Sequence, residues 1–270
     1  MSLLLHISDT HFGTEQAPVV EALRRLSFQL RPQVVVLSGD ITQRARPSQF
    51  AAARAFCDSL AVPHLLALPG NHDIPLFDLV TRVADPYRHY RAAFGALEPQ
   101  LALPDLLVSC VNTTRPRRHK HGEVSREQVE RVCDRLRGAR REQLRIVVTH
   151  QPACVVREED GKDRLRGGHG AVRAWSLAGA DLVLGGHIHL PYIADVRAKV
   201  SGTPRALFCL QAGTAVSHRV RYGTPNSVNV VRWSAPPPGA ARKCRVERWD
   251  YDLADAHFER THEHELTLAD

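Results

Sequence analysis

Apolar residues in this chain follow two rhythms. Short continuous runs rich in Val, Leu and Ile alternate with longer stretches in which apolar positions recur three and four apart. The short runs, bounded by turn residues, predict strands over residues 3–7, 33–37, 64–68, 106–111, 145–149 and 181–184. The longer stretches predict helices over 18–30 and 47–60, each opened by a proline suited to a first helical turn. A third helix is predicted to begin at Ser125, where Ser125-x-x-Gln128 makes a capping box. Past Pro204 the helical rhythm stops. Residues 206–211, 227–233, 243–251 and 257–266 read as successive strands, divided by turns such as Pro236-Pro237-Pro238-Gly239.

Strands alternating with helices define the α/β class. No repeat and no linker divides the chain, so it is expected to form one domain over 1–270. A motif-bearing core would occupy 1–200, and a strand-rich part over 204–268 would complete the second of two sheets.

With 270 residues and 43% hydrophobic content, the chain can bury a sizeable core. No apolar run approaches the roughly 18–20 residues of a membrane span, and the N-terminal residues show neither a basic region nor a cleavage site. The six cysteines are scattered, none in a CxxC pair, as expected of reduced thiols in a cytoplasmic protein. A formal charge of +7 suits anionic partners: a small phosphoester is favoured, nucleic acid is compatible, and a homodimer stays open.

The residues just past each strand carry the chemistry. Residues 3–7 lead to Asp9-Thr10-His11, 33–37 to Gly39-Asp40, and 64–68 to Gly70-Asn71-His72-Asp73. Residues 145–149 lead to His150, and 181–184 to Gly185-Gly186-His187-Ile188-His189. Singly, most of these are ordinary turns, although Gly-His-x-His on extended backbone puts both imidazoles on one side. In this order, each at the carboxyl end of a strand, they form an oxygen and nitrogen donor set where open α/β sheets hold ligands. Such donors suit Mn, Fe, Zn, Co or Ni rather than Ca or a thiolate-bound metal, with Mn, Fe or Zn favoured. Seven of them exceed what one tetrahedral ion takes and suit two ions about 3.5–4 Å apart. Two aspartates against two divalent ions leave the site net positive, which favours a phosphate.

These motifs resemble the DxH, GD, GNH(D/E), H and GHxH series of the calcineurin-like metallophosphoesterase superfamily, in order, from Asp9 to His189. The resemblance implies a four-layer αββα sandwich with two mixed β-sheets and two divalent or trivalent transition-metal ions. It implies a phosphodiester substrate attacked in line by a hydroxide shared between the ions. By motif, Asp9, His11 and His189 would hold one ion, Asn71, His150 and His187 the other, and Asp40 would bridge them. His72, oriented by Asp73, would touch the substrate phosphate or protonate the leaving oxygen.

The His11-Phe12, Gly70–Asp73 and Gly-Thr-Ala-x-Ser segments look most like bacterial class III cyclic-nucleotide phosphodiesterases, which points to a cyclic nucleotide. The segment Gly39-Asp40-Ile41-Thr42-Gln43-Arg44-Ala45-Arg46 departs from the GD-L-A form of those enzymes.

Further substrate contacts are expected from Asn112 and Thr113 at a strand end, His169 in the glycine-rich 158–170 stretch, and Arg219 and Arg221, which alternate onto one face. The basic segment 115–121 reads as a cationic rim or a solvated loop, and 158–170 as a lid or an inert excursion. Competing functions are a pyrophosphatase resembling the UDP-diacylglucosamine hydrolases, a Mn-dependent nuclease, and a non-catalytic scaffold like the retromer subunit. The last sits poorly with an intact donor set.

Overall fold

The computed structural model describes residues 2–118, 120–221 and 223–270; Met1 of the N-terminal segment and His119 of the basic segment lie outside them. Twelve strands are described: β1 (Ser2–Ile7), β2 (Val34–Leu37), β3 (His64–Ala67), β4 (Gln100–Leu103), β5 (Leu106–Cys110), β6 (Leu144–Val148), β7 (Leu182–Gly185), β8 (Tyr192–Asp195), β9 (Phe208–Gln211), β10 (Ser227–Trp233), β11 (Lys243–Asp252) and β12 (His257–Thr267). The helices are α1 (Ala17–Leu30), α2 (Pro47–Ser59), α3 (Leu79–Ala84), α4 (Arg88–Phe94), α5 (Arg126–Arg137) and α6 (Gly168–Ala178). The strands form two six-stranded sheets, β12-β11-β10-β1-β2-β3 and β4-β5-β6-β7-β9-β8.

Side-chain alternation builds the layers. Leu3, Leu5 and Ile7 of β1 point to one side, where they join Val19, Leu23 and Leu26 of α1 and Phe50 and Phe56 of α2. Leu4 points the other way, into an inter-sheet core with Val34 and Val36 of β2 and Val108, Ile146 and Leu184 of the second sheet. On the far side of that sheet, Val147 and Val183 pack on Val132 and Leu136 of α5 and Val172 and Trp175 of α6. Both sheets are covered on both faces, which is why their central strands read as continuous apolar runs. The result is the expected αββα sandwich.

The predicted helices match α1, α2 and α5 closely, and Ser125 caps α5 through a capping box with Gln128. The expectation that the C-terminal strands complete the second sheet is corrected. Only β9 enters it, while β10 pairs antiparallel with β1 and carries β11 and β12 onto the first sheet. The edge of β1 opposite β2 needs a partner, and β10 satisfies it in register from Ser2↔Trp233 to His6↔Asn229. Arg242, fully buried just before β11, donates to Asp181 at 2.7 and 2.8 Å and so anchors the C-terminal segment to the second sheet as well.

Strand direction places the site. β1, β2 and β3 run parallel, as do β5, β6, β7 and β9. Their carboxyl ends therefore gather the loops that bear the polar motifs along one edge of each sheet.

Candidate metal centre

At the carboxyl end of β1, Asp9 and His11 both adopt left-handed backbone, as do Asp40 after β2 and His187 and His189 after β7. Non-glycine residues visit this region at a cost, and clusters of such strain mark sites over-determined by their surroundings. The neighbouring glycines explain the close approach of the loops. A Cβ on Gly70 would stand 2.0 Å from the Asp40 amide nitrogen, and one on Gly186 would stand 1.9 Å from Ser8 Oγ.

Side chains from five strand ends converge. His11 Nε2 lies 3.2 Å from His189 Nε2, and His189 Nε2 lies 3.3 Å from Asp9 Oδ1. Asp40 stands between two groups: its Oδ2 is 3.7 Å from His11 Nε2, and its Oδ1 is 3.3 Å from His150 Nε2. The rings of His150 and His187 stand edge to face with centroids 5.1 Å apart. Asp9, His11, Asp40 and His189 form one cluster able to hold a metal ion, and Asp40, His150 and His187 form a second. Two donors bound at about 2.1 Å to one ion sit about 3.0–3.4 Å apart, so the shorter of these separations suit shared coordination.

The remaining hydrogen bonds aim the nitrogens inward. His150 Nδ1 meets the Ser38 carbonyl at 2.8 Å and His189 Nδ1 meets that of Arg219 at 2.5 Å, which fixes each tautomer with Nε2 toward the centre. Asn71 Oδ1, His150 Nε2 and His187 Nδ1 are buried with no hydrogen-bond partner among the described residues. Orphaned buried polar atoms are costly, and those of His150 and His187, which share one cluster with Asp40, fit a cation as their missing partner.

Burial opposes charge throughout this cluster, and the outcomes differ. For His150 the carboxylates of Asp40 and Asp9 outweigh burial and raise the pKa to about 9. For His11 and His187 burial wins, lowering them to about 3 and about 4. Asp40, despite burial, is held well below the usual carboxylate range by His150 and His72, and Asp9 is lowered chiefly by His189. In the metal-free protein two ionised carboxylates therefore stand among the imidazoles, with a protonated His150 offsetting part of their charge.

His72 sits at the rim, its ring 4.8 Å from that of His11. The expectation that Asp73 orients it is corrected: His72 Nδ1 meets the carbonyl of Gln43 at 3.0 Å. Asp73 points the other way. It accepts from the amides of Gly70 at 2.8 Å, Ile41 at 3.0 Å and Thr42 at 2.8 Å, and from the Thr42 hydroxyl at 2.9 Å. It clamps the loops after β2 and β3 together, which is a positioning role. Burial and the nearby Asp40 push its pKa up to about 6 against the pull of those donors.

Of the expected substrate contacts, two face inward. Asn112 Oδ1 accepts from the amide of Thr114 at 3.0 Å, and Thr113, fully buried, donates to Gln151 Oε1 at 2.5 Å; both shape the loop after β5 rather than the site. His169, in the first turn of α6, is not among the lining residues of the cavity at the centre. Arg219 and Arg221 do line that cavity, which measures about 250 Å³. Arg219 Nη1 donates to Gln43 Oε1 at 3.0 Å and lies 3.3 Å from His72 Nε2, and Arg221 pairs with Asp160 at 2.5 Å.

Lys120 and Asp163 also line this cavity, joined by a 2.9 Å ion pair. Sequence reasoning singled out their two loops but not these residues. Only the charge of Lys120 in the basic segment could have signalled it.

This αββα fold, with two Asp/His clusters sharing one carboxylate, defines a dimetal phosphoesterase scaffold. The sequence matches the calcineurin-like phosphoesterase family over residues 3–191, and the chain belongs to that family. It is 42% identical over 84 residues to the glycerophosphodiester phosphodiesterase GpdQ of Enterobacter lignolyticus, covering 26% of this chain and 29% of that one. It is 26% identical over 203 residues to a cAMP/cGMP dual specificity phosphodiesterase of Mycobacterium tuberculosis, covering 69% of this chain and 61% of that one. These matches therefore span less than two thirds of either relative. Among solved structures, a dimetal phosphatase from Danio rerio superposes with a TM-score of 0.64 at 14% identity, covering 99% of both chains. The purple acid phosphatase PPD1 from yellow lupin seeds gives 0.69 at 11% identity, covering 98% of this chain and 53% of that one. At such identities the likeness is one of fold.

Proposed function

We propose that this chain is a dinuclear-metal-dependent phosphodiesterase that hydrolyses a small phosphodiester such as a cyclic nucleotide. Asp9, His11 and His189 would hold one ion, Asn71, His150 and His187 would hold the other, and Asp40 would be shared. The observation that carries this is the convergence of two carboxylates and four imidazoles from separate strand ends beside the orphaned Asn71 Oδ1. Nitrogen and oxygen donors without thiolate favour Mn, Fe or Zn. When bound, the ions supply positive charge for the phosphate oxygens and an activated water.

The chain's own residues do the rest. Arg219, held by Gln43, presents a guanidinium beside His72 at the cavity wall, suited to a non-bridging phosphate oxygen. His72, its Nδ1–H donating to the Gln43 carbonyl, turns Nε2 toward Arg219 and the cavity, where it is placed to reach a leaving oxygen. The Lys120–Asp163 ion pair lines one side of the cavity. A diester is favoured over a monoester because both curated relatives are named as phosphodiesterases. Six buried free thiols support a cytoplasmic setting, and the direct pairing of β10 with β1 supports a single domain. No described helix is long and apolar enough to cross a membrane.

The test is to purify the protein, count bound metals, and assay bis(4-nitrophenyl) phosphate, cyclic nucleotides and glycerophosphodiesters with Mn, Fe and Zn. Two ions per chain and diester cleavage are expected. A metal-loaded protein that cleaves no diester overturns the reading.

A further inference from the structure

Beside the candidate metal centre, the protein presents to water what it would ordinarily bury. On α3 and the turn before it, Phe77, Leu79, Val80 and Val83 are 79, 66, 78 and 85% exposed. Contiguous exposed apolar patches rimmed by polar groups mark binding surfaces. Leu79 and Val83, with Leu76 and Pro116, line a groove of about 690 Å³, within the range of small-molecule sites.

The groove is built, and it leads to the chemistry. Arg82 donates to the carbonyls of Pro75 at 2.9 Å and Pro116 at 2.5 Å, fastening α3 to the basic segment as the two walls. A smaller cavity of about 60 Å³ shares Leu76 and Arg82 with the groove, and Asn71 and His72 with the cavity at the metal centre. The three cavities therefore stand in a row, a track lined in turn by the two clusters, His72, Leu76 and the apolar side chains of the groove. Its rim is cationic: Arg118 is balanced by Glu123 at 2.8 Å, whereas Arg117 has no ion-pair partner among the described residues.

We infer that this groove is a subsite for an apolar arm of the substrate, so that the phosphodiester taken by the centre is amphiphilic, with an alkyl, acyl or aryl group on one ester. The inference rests on the phosphodiesterase reading and narrows it. A purely polar diester leaves the groove empty, whereas an apolar arm covers Leu76, Leu79 and Val83 while the phosphate stays beside His72. Arg117 offers charge to an anion along the same track.

The experiment compares 4-nitrophenyl methyl, butyl and octyl phosphates with the metal-loaded full chain, alongside calorimetric binding of methyl, butyl and octyl phosphate below their micellar concentrations. Both kcat/KM and affinity are expected to rise about tenfold or more from methyl to octyl, as burial of methylenes requires. Leu79→Glu and Val83→Glu, at solvent-exposed positions, are expected to collapse the octyl-to-methyl ratio toward one. Flat chain-length dependence in both measurements overturns the subsite. Chain-dependent binding without turnover keeps the subsite and overturns the phosphodiesterase reading. Two further results also overturn the subsite: co-sedimentation with phosphatidylglycerol vesicles without any chain-length effect, or a dimer that Val83→Glu dissociates.

Discussion

The backbone N–H of His187 donates to Asp9 Oδ2 at 2.9 Å, tying the carboxyl end of β7 in one sheet to that of β1 in the other. The bond exists because Gly186 lets the β7 loop sit against β1. A Cβ at Gly186 would stand 2.4 Å from Asp9 Oδ2 and 1.9 Å from Ser8 Oγ. Gly186→Ala should therefore open the inter-sheet junction and weaken metal affinity about 10–100-fold, the usual cost of disturbing a ligand's support. Metal titration of the folded variant checks this, and unchanged affinity would remove Gly186 from the account.

Asp40 is the carboxylate common to both clusters. Asp40→Ala should lower bound metal below two ions per chain and cut diester hydrolysis about a thousandfold or more, as loss of metal-ion charge stabilisation implies. Metal content and initial rates measured on one preparation test this. Full activity would discard the shared-ligand assignment.

His72 separates two roles by leaving group. Donation to the leaving oxygen matters for a poor leaving group and little for 4-nitrophenolate. His72→Gln should slow hydrolysis of a dialkyl diester about 100-fold or more, with a much smaller loss on bis(4-nitrophenyl) phosphate and unchanged metal content. Equal losses on both substrates would leave His72 as a phosphate contact only.

Asp73 is a matter of stability. Its removal in Asp73→Ala leaves the amides of Gly70, Ile41 and Thr42 buried without an acceptor. Each such group costs about 1–3 kcal/mol, so the variant should lose about 3 kcal/mol or more in urea unfolding. Asp73→Asn should restore it only in part, because its carbonyl oxygen can accept from one pair of donors while its NH₂ faces the other. A variant as stable as the parent would refute the clamp.

Metal binding should release protons. Below about pH 9 the metal-free protein keeps a proton on His150, whose pKa is raised, and that proton must leave before Nε2 can bind a cation. His11 and His187, lowered to about 3 and about 4, are already neutral at pH 7. Affinity should therefore climb with pH from neutrality to about 9 and then level. Calorimetry in buffers of different ionisation enthalpy counts the protons, and none released at pH 7 would contradict the charge on His150.

The apolar periods of β1, β2, β3, β6 and β7 and the polar residues just beyond them are local features, so the sequence alone determined the α/β class and pointed to the Asp and His residues that the two clusters bring together. Strand alternation and turn chemistry are written within a few residues of each motif. Everything that depended on contacts across the chain had to wait for the tertiary structure. Asn112 and Thr113 looked like site residues because they end a strand, but Thr114 and Gln151 take their polar atoms inward. Asp73 looked like the partner of His72 because it is adjacent in sequence, yet it serves the loop after β2. Sheet membership of β10 to β12 was settled by the free edge of β1, a pairing more than 220 residues distant in sequence. The groove along α3 could not be read either, since an apolar side chain in a short helix has the same sequence signature whether it is buried or left in water. Local pattern states what a residue can offer; which partner takes up the offer is decided by the distant chain that packs beside it.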